Sequence, residues 1–383
     1  MDGGPVTQAR ELRALFVNEN IGGHATVHAA LERCLADRED VRAEFLHVPD
    51  PGLVGKVARR PVPGLGRLDL DLQPLRAQLV RSAWTRGALR RRLARRDVDV
   101  VHVYTQNTAL LSAPDLRKVP TVVTTDSTTE LNAYRLPYRP PTRFTPRSVR
   151  VSVPLERRVL NAARQVVANS EYAAASLRTT YGVTQERLTV LPFGVWLPPR
   201  PAERPERRPT VVFVGHQLER KGGRRLLRLH QEHLRERCDL LLVTTEPVEP
   251  LPGVRVVADL RGGSDDLWDV LASADVMCFP STIDQAPNAV LEAAAAGLPV
   301  VAHPVAAIAE MVLDGRTGLL PPPEDDDALL AALLRLLDDR ELRLRMGRAG
   351  RDHVEQRYDM RDAADRLVAV LRAAVDEAPA LRT

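Results

Sequence analysis

Short apolar runs recur along this chain, separated by stretches in which apolar residues return every three or four positions. Residues 12–17 read as a buried strand, and Val27, Leu31, Cys34 and Leu35 then share one face of a helix over residues 24–36. Apolar runs at 45–48, 98–104, 121–125, 165–168 and 188–191 continue the alternation with helical stretches. A proline-rich segment without apolar periodicity follows at 196–209, after which runs at 210–214, 240–244, 254–257, 276–279 and 299–302 repeat the scheme. Strand-like runs alternating with helical stretches predict parallel sheets with crossover helices. The chain is therefore expected to be α/β, with two Rossmann-like doubly wound domains and a cleft between the carboxyl ends of their sheets, where such sheets take ligands. The first domain is expected over residues 1–196, a linker over 197–209 and the second domain over 210–360.

At 383 residues, 44% hydrophobic and 27% charged, the chain has material for two cores, and its 30 prolines do not signal disorder because apolar residues recur throughout. No opening apolar stretch reads as a signal peptide. The most apolar region, residues 289–313, is broken by Glu292, Pro299, His303, Pro304 and Glu310, so neither export nor membrane spanning is expected and a cytoplasmic location fits. Cys34, Cys238 and Cys278 stand far apart without CxxC spacing, against both a disulfide framework and a zinc cluster. The net charge of +4 hides an imbalance, +11 over residues 1–200 and −7 over residues 201–383. The basic half carries Arg81, Arg86, Arg90, Arg91, Arg92, Arg95 and Arg96 in one helical stretch and a second basic segment at 135–158. It points to an anionic partner or to a solvated arginine-rich surface. No nucleic-acid-binding module accompanies the charge, so nucleic acid is not an expected partner.

Three segments begin where strands end. In the first, Gly22-Gly23 precede His24. Consecutive glycines let backbone approach a ligand and the following helix offers free N–H groups to an anion, although a plain tight turn uses the same residues. The absence of GxGxxG argues against a nicotinamide or flavin enzyme. His24 and His28 share a helix face, but no HExxH pattern or nearby cysteine joins them, and no metal is expected. The second segment, FVGHQLERKGG at 213–223, ends a strand at Gly215 and sets Lys221 just ahead of a helix, where an ammonium neutralises a diphosphate as readily as it decorates a solvated turn. The third, PSTIDQAPNAVLEAAAAGLPVV at 280–301, runs from a strand into a loop carrying Asp284. Pro287 and Asn288 start a helix with Asn288 as the expected N-cap, Glu292 lies one turn inside, and Gly297 ends it. A loop carboxylate, a helix N-terminus and a second carboxylate suit sugar hydroxyls, a diphosphate and ribose hydroxyls in turn.

This third segment resembles the Glu-x7-Glu motif of the family 4 glycosyltransferases of the GT-B fold, including the PNxxLEAxAxGxPVV run. FVGxxxERKGG, Ala168-Asn169-Ser170, Tyr181-Gly182-Val183, LPFGV at 191–195 and DGRTGLL at 314–320 extend the resemblance over most of the chain. The resemblance implies a retaining transferase that uses a nucleotide-sugar co-substrate, with UDP favoured, and no other cofactor; metal independence is expected because Asp69-Leu70-Asp71 has no strand before it and no DxD is followed by further ligands in a suitable loop. By position, Asp284 would contact donor-sugar hydroxyls, Glu292 the ribose, the backbone of Asn288 and Ala289 beyond Pro287 the phosphates, and Lys221 the leaving diphosphate. Gly22 and Gly23 would close over the donor from an acceptor-binding first domain, opposite a donor-binding second one. The last helix, over about 361–383 and with Ala364, Leu367, Val368, Leu371 and Val375 on one face, would cross back to the first domain.

The chain also departs from that pattern. His216, counted with the donor set, stands where an Arg often accompanies Lys221; Asp284 is one methylene shorter than Glu; Ala306-Ala307 replace a frequent Gly-Gly; and Asp126 stands where a His is frequent. Asp126 is a candidate to accept a sugar hydroxyl, to stabilise a cationic sugar, to act as base on the acceptor, or simply to cap a helix. His24, Asp126 and Thr128 are the acceptor-side candidates, and Asp126, Lys221 and Asp284 the catalytic ones. The expected partners are a nucleotide sugar and a small soluble or lipid-linked acceptor, with a weak contact between the basic first domain and an anionic membrane surface. The rival readings are a non-catalytic nucleotide-sugar-binding protein that supports a partner enzyme and a nucleotide-sugar epimerase.

Overall fold

The computed structural model describes residues 10–18, 23–48, 50–134, 141–200, 206–258 and 260–377. Its first half runs β1 (Leu12–Asn18), α1 (Gly23–Ala36), β2 (Val41–His47), α2 (Gly52–Ala58), α3 (Gln73–Leu93), β3 (Val100–Tyr104), α4 (Ala113–Leu116), β4 (Thr121–Thr125), α5 (Thr129–Asn132), α6 (Thr145–Leu160), β5 (Gln165–Ala168), α7 (Glu171–Thr179) and β6 (Leu188–Val190). The second half runs β7 (Thr210–Val214), α8 (Gly223–Leu229), β8 (Asp239–Val243), β9 (Val254–Val257), α9 (Asp265–Ala272), β10 (Val276–Phe279), α10 (Asn288–Ala295), β11 (Val300–Ala302), α11 (Ile308–Met311), β12 (Gly318–Leu319), α12 (Asp326–Asp338), α13 (Arg340–Arg357) and α14 (Met360–Asp376).

These strands form two six-stranded sheets, ordered β2-β1-β3-β4-β5-β6 and β12-β11-β10-β7-β8-β9, with parallel pairing throughout. The central strands are buried on both faces, which is why they read as unbroken apolar runs; VMCF of β10 is an example. Edge strand β2 is half-exposed and interleaves Arg42 and Glu44 with its apolar residues, so its first half escapes an apolar-run search. In each sheet the chain order reverses beside the first strand, between β1 and β3 and between β7 and β10. Crevices open at the carboxyl ends of the strands at such reversals.

Helix α14 packs on the first sheet rather than the second. Its Met360, Ala364, Leu367, Val368 and Leu371 are buried with Leu12, Phe16, Leu31, Val100 and Val122. The chain reaches this crossing through Gly194, where a β-carbon would lie 2.3 Å from Met360 Cα. Beside it the Val195 N–H donates to Tyr358 O at 2.7 Å and the Met360 N–H to Val195 O at 3.1 Å. No helix among the described residues is long and apolar enough to cross a membrane.

Candidate active site

The second sheet supplies a cluster of charges at the β7/β10 reversal. Beyond β10, Ser281 Oγ donates to Asp284 Oδ2 at 2.8 Å and accepts from the Asp284 N–H at 3.3 Å, which folds the loop back on itself. Asp284 is buried, and its Oδ1 accepts from Arg220 Nη1 at 2.9 Å with Lys221 Nζ at 3.8 Å. The turn after β7 reaches this loop because Gly222 takes φ +79° and presses on Pro280; a β-carbon there would stand 2.3 Å from the Pro280 carbonyl oxygen. The Lys221 ammonium sits 5.1 Å above the Phe279 ring. Burial lowers its pKa, with the Asp284 carboxylate acting in the opposite sense.

Asn288 is the first residue of α10, not its cap. Pro287 holds the cap position in extended conformation and makes no side-chain capping bond, so Asn288 is not the N-cap it was expected to be and its backbone belongs to the first helical turn. Ala289 follows in that same turn. Gly297, at φ +72°, lies just past the helix end as expected. Glu292 is buried one turn inside α10. Burial raises its pKa to about 7, against the opposing pull of the Gly263 N–H and the Lys221 charge.

Glu292 and Asn288 border a cavity of about 190 Å³ whose other walls include Thr26 and Arg33 of α1, Trp196, Gly262 and Gly263. The two halves of the chain touch here. A β-carbon on Gly262 would come within 3.1 Å of both Glu292 Oε1 and Thr26 Cγ2. The Arg33 guanidinium lies 4.4 Å over the Trp196 ring. His216 is exposed, with Nδ1 3.4 Å from Thr245 Oγ1.

On the first sheet, Asp126 directly follows β4. Its Oδ2 lies 3.0 Å from His24 Nε2 near the start of α1, and the His24 ring stands edge-on to Tyr104 at 4.9 Å. A buried network fixes the backbone around Asp126. The Gln106 amide donates to Ser127 O at 2.8 Å and to Glu156 Oε1 at 3.0 Å, and the Thr125 hydroxyl donates to Gln106 Oε1 at 2.9 Å. Glu156 also accepts from the Thr129 N–H and hydroxyl and from the Tyr181 hydroxyl. Burial raises its pKa, while the bonds from Tyr181, Gln106 and Thr129 lower it.

The cap reading of Asp126 is corrected by this geometry. Thr128 is the N-cap of α5, accepting from the Leu131 N–H at 3.3 Å. Thr128 is itself corrected as an acceptor contact: it is fully buried, with its hydroxyl 2.9 Å from Ser176 Oγ. Gly22 lies outside the described residues, as do residues 135–140 of the second basic segment, and Gly23 opens α1. His28 is buried against Phe45 and Tyr104, and among the described residues no three metal-ligating side chains converge.

Two further contacts join the halves. Gln285 Nε2 donates to Asn132 Oδ1 at 3.1 Å, and the Glu310 carboxylate accepts from the Glu171 and Tyr172 N–H groups at 2.9 Å each. Ala306, which follows the Gln285 loop in space through the Ala307 N–H to Gln285 O bond of 2.9 Å, adopts φ +48°. That is a backbone region that glycine enters without strain.

Two family descriptions match successive parts of the chain: Glycosyltransferase Family 4 over residues 21–197 and Glycosyl transferases group 1 over residues 208–339. The chain belongs to the family 4 glycosyltransferases. Its two sheets give it the GT-B fold. One relative is the MMP alpha-(1->4)-mannosyltransferase of Mycolicibacterium hassiacum, 31% identical over 236 residues, or 58% of this chain and 57% of that protein. The match thus spans little more than half of the relative's length. Among solved structures, the sucrose-phosphate synthase of Thermosynechococcus elongatus superposes with a TM-score of 0.75 at 19% identity, covering 96% of this chain and 100% of that one. The Anabaena protein HepE, solved in complex with UDP and glucose, superposes with a TM-score of 0.63 at 16% identity over 95% and 100%.

Several residues of the cleft are not marked by any local sequence pattern, Arg220 excepted. Arg220 puts its guanidinium on Asp284, although the motif had drawn attention to Lys221 and His216. The ERKGG run did hold the signal, since a second cation sits next to the lysine. Gln106, Glu156, Thr26, Arg33 and Trp196 carry no local signature, because each acts through a partner distant in sequence.

Proposed function

We propose that this chain transfers a glycosyl group from a nucleoside diphosphate sugar, UDP-linked, to a small soluble or lipid-linked hydroxyl acceptor, with retention at the anomeric carbon. The observation that carries the reading is the assembly around α10: an N-terminus whose cap position is held by Pro287, buried Glu292, and Asp284 with the Arg220 and Lys221 cations, all at one sheet reversal and bordered by α1 from the other half. Glu292 takes the ribose hydroxyls and Asp284 a hydroxyl of the donor sugar. Lys221 and the N–H groups of Asn288 and Ala289 take the diphosphate, with His216 at the outer edge. As the bond from the anomeric carbon to the phosphate oxygen breaks, negative charge grows where these donors and cations already stand, and this fixed electrostatic field is the main source of rate. The acceptor oxygen forms the new bond and its proton leaves to the departing phosphate oxygen. Asp126, held by His24 and by the Gln106–Glu156 network, faces the acceptor side and stabilises the cationic sugar. No divalent cation takes part, and turnover in the presence of EDTA checks that element.

UDP is supported by the HepE complex with UDP and glucose, and glycosyl transfer by the named mannosyltransferase. The test is a thermal-shift series with nucleoside diphosphates and their sugars, followed by mass spectrometry of products formed with and without hydroxyl acceptors. A shift with UDP and a mass gain on an acceptor support the reading. No shift with any nucleoside diphosphate overturns the site, and a free epimer formed without acceptor overturns the reaction.

A further inference from the structure

Of the eleven large apolar side chains exposed among the described residues, seven lie between residues 53 and 70. Helix α2 is inside out: it turns its small residues Gly55 and Ala58 to the protein and leaves Leu53 78%, Val54 51% and Val57 63% exposed. Leu65 and Leu68 extend the same exposed stretch. Burying large apolar side chains is the ordinary driving force of helix packing, so a helix that does the reverse leaves an apolar face unpartnered among the described residues.

The exposed stretch is held in place. Asp71 Oδ2 accepts from the Val62 N–H at 3.0 Å, the Gln73 amide donates to Arg59 O at 2.9 Å, Arg76 donates to Arg60 O at 3.1 Å, and the Thr142 hydroxyl donates to Leu68 O at 2.9 Å. Its charge is of one sign. Residues 51–68 contain Lys56, Arg59, Arg60 and Arg67, all exposed, and no acidic residue. The flanking Asp69 and Asp71 are buried and bonded within the fold. On the other side Asp50 is exposed, accepts from the Gly52 N–H at 2.7 Å and lies 3.9 Å from Arg59, which leaves Lys56, Arg60 and Arg67 as the cations without an acidic neighbour in this segment. Behind α2, a recess of about 170 Å³ is bordered by Arg59, Gln78, Arg81 and Asn107. Two of the arginines of α3 that the sequence had offered are committed elsewhere: Arg86 bonds Asp115 at 2.7 Å, and Arg92 bonds Glu44 at 2.6 Å and also Asp97.

We infer that α2 and the following segment through Leu70 form a docking face for an anionic lipid bilayer. Apolar side chains enter the acyl boundary while Lys56, Arg59, Arg60 and Arg67 meet the headgroup phosphates, the combination an interfacial element requires. A protein partner would have to match exposed leucines and four cations together, whereas an anionic bilayer offers both chemistries on one surface. The inference concerns binding and stands apart from the transfer reaction.

The test is co-sedimentation of the full chain with phosphatidylglycerol–phosphatidylcholine vesicles and with pure phosphatidylcholine vesicles. Binding to the anionic vesicles at low salt, reduced at least about tenfold at high ionic strength where the Debye length contracts to a few ångströms, is expected. The double variant L53S/V57S and the charge variant K56Q/R60Q/R67Q should each lose at least about tenfold in vesicle affinity while keeping the wild-type melting temperature and UDP affinity. No co-sedimentation of the wild type overturns the inference, as does full retention by L53S/V57S. A wild-type dimer in sedimentation velocity that L53S/V57S dissociates would assign the face to a second copy and also overturn it.

Discussion

Glu292→Gln keeps the shape of the side chain and deletes its titration, which makes Glu292 the sharpest handle on the site. In the folded protein its pKa is raised from 4.5 to about 7, by burial first, with the Gly263 N–H and Lys221 opposing. A folded value above the unfolded one means that the folded chain holds more protons between the two, so stability is lost as pH rises through that window. One proton corresponds to about 1.4 kcal/mol per pH unit, and over the gap the wild type should lose on the order of 3 kcal/mol relative to E292Q. Urea midpoints for both proteins, measured at steps from about pH 5 to about pH 8, read this directly. The two curves should diverge up to neutrality and run parallel above it; parallel curves throughout would refute the buried titration. Ligand binding supplies the second readout. Ribose hydroxyls donate to a carboxylate, so UDP selects the deprotonated form and wild-type affinity should rise with pH through neutrality. E292Q should keep only the shallower rise that the terminal phosphate of UDP itself contributes as it ionises, and bind more weakly by about 1–3 kcal/mol at the alkaline end. A wild-type rise no steeper than that of E292Q would remove Glu292 from the ribose.

Lys221→Ala should weaken UDP by about 1–3 kcal/mol in calorimetry, the range for a hydrogen bond to a charged group, and unchanged affinity would take the lysine off the diphosphate. Asp126→Asn should cost at least about tenfold in turnover. Its melting temperature should stay at the wild-type value, because Thr128 and not Asp126 caps α5; near-normal turnover would return Asp126 to a structural role. Ala306→Gly should raise stability by about 0.5–1 kcal/mol in urea by relieving the positive φ of Ala306, and a loss of stability would show that the methyl group contributes more by packing than it costs in strain.

Legibility followed the range of each interaction. The central strands are buried on both faces and announce themselves as apolar runs, so two parallel sheets could be read from the chain, while the first half of β2 and the two-residue β12 could not. The site divides the same way. Asp284, Asn288 and Glu292 lie on one loop and one helix turn, where spacing along the chain is spacing in space. The Asp126–His24 pair spans 102 residues and the Gln285–Asn132 bond 153, and no local pattern encodes such a meeting. The capping errors have a different origin. Asn288 and Asp126 have good cap chemistry, but the extended Pro287 and the hydroxyl of Thr128 occupy the positions where a cap must stand.

The charge imbalance between halves is a poor guide to partners, because pairing decides which charges remain available. Much of the excess on α3 is neutralised at Asp115, Glu44 and Asp97. What stays exposed beside apolar side chains is the α2 face, and its position relative to the cleft gives it a consequence for the acceptor. Helix α2 begins a few residues beyond the end of β2, at the carboxyl edge of the first sheet. The recess behind it is bordered by Asn107, next in sequence to the Gln106 that bonds Ser127 O beside Asp126. A bilayer seated on this face would therefore present lipid headgroups at the end of the sheet that carries Asp126. An acceptor embedded in vesicles should then lose at least about tenfold in kcat/KM with L53S/V57S, while the same headgroup offered as a water-soluble analogue should react with the wild-type kcat/KM, since its delivery owes nothing to the membrane. Equal losses on both acceptors would place Leu53 and Val57 in support of the cleft itself, and equal retention on both would make the acceptor a soluble one.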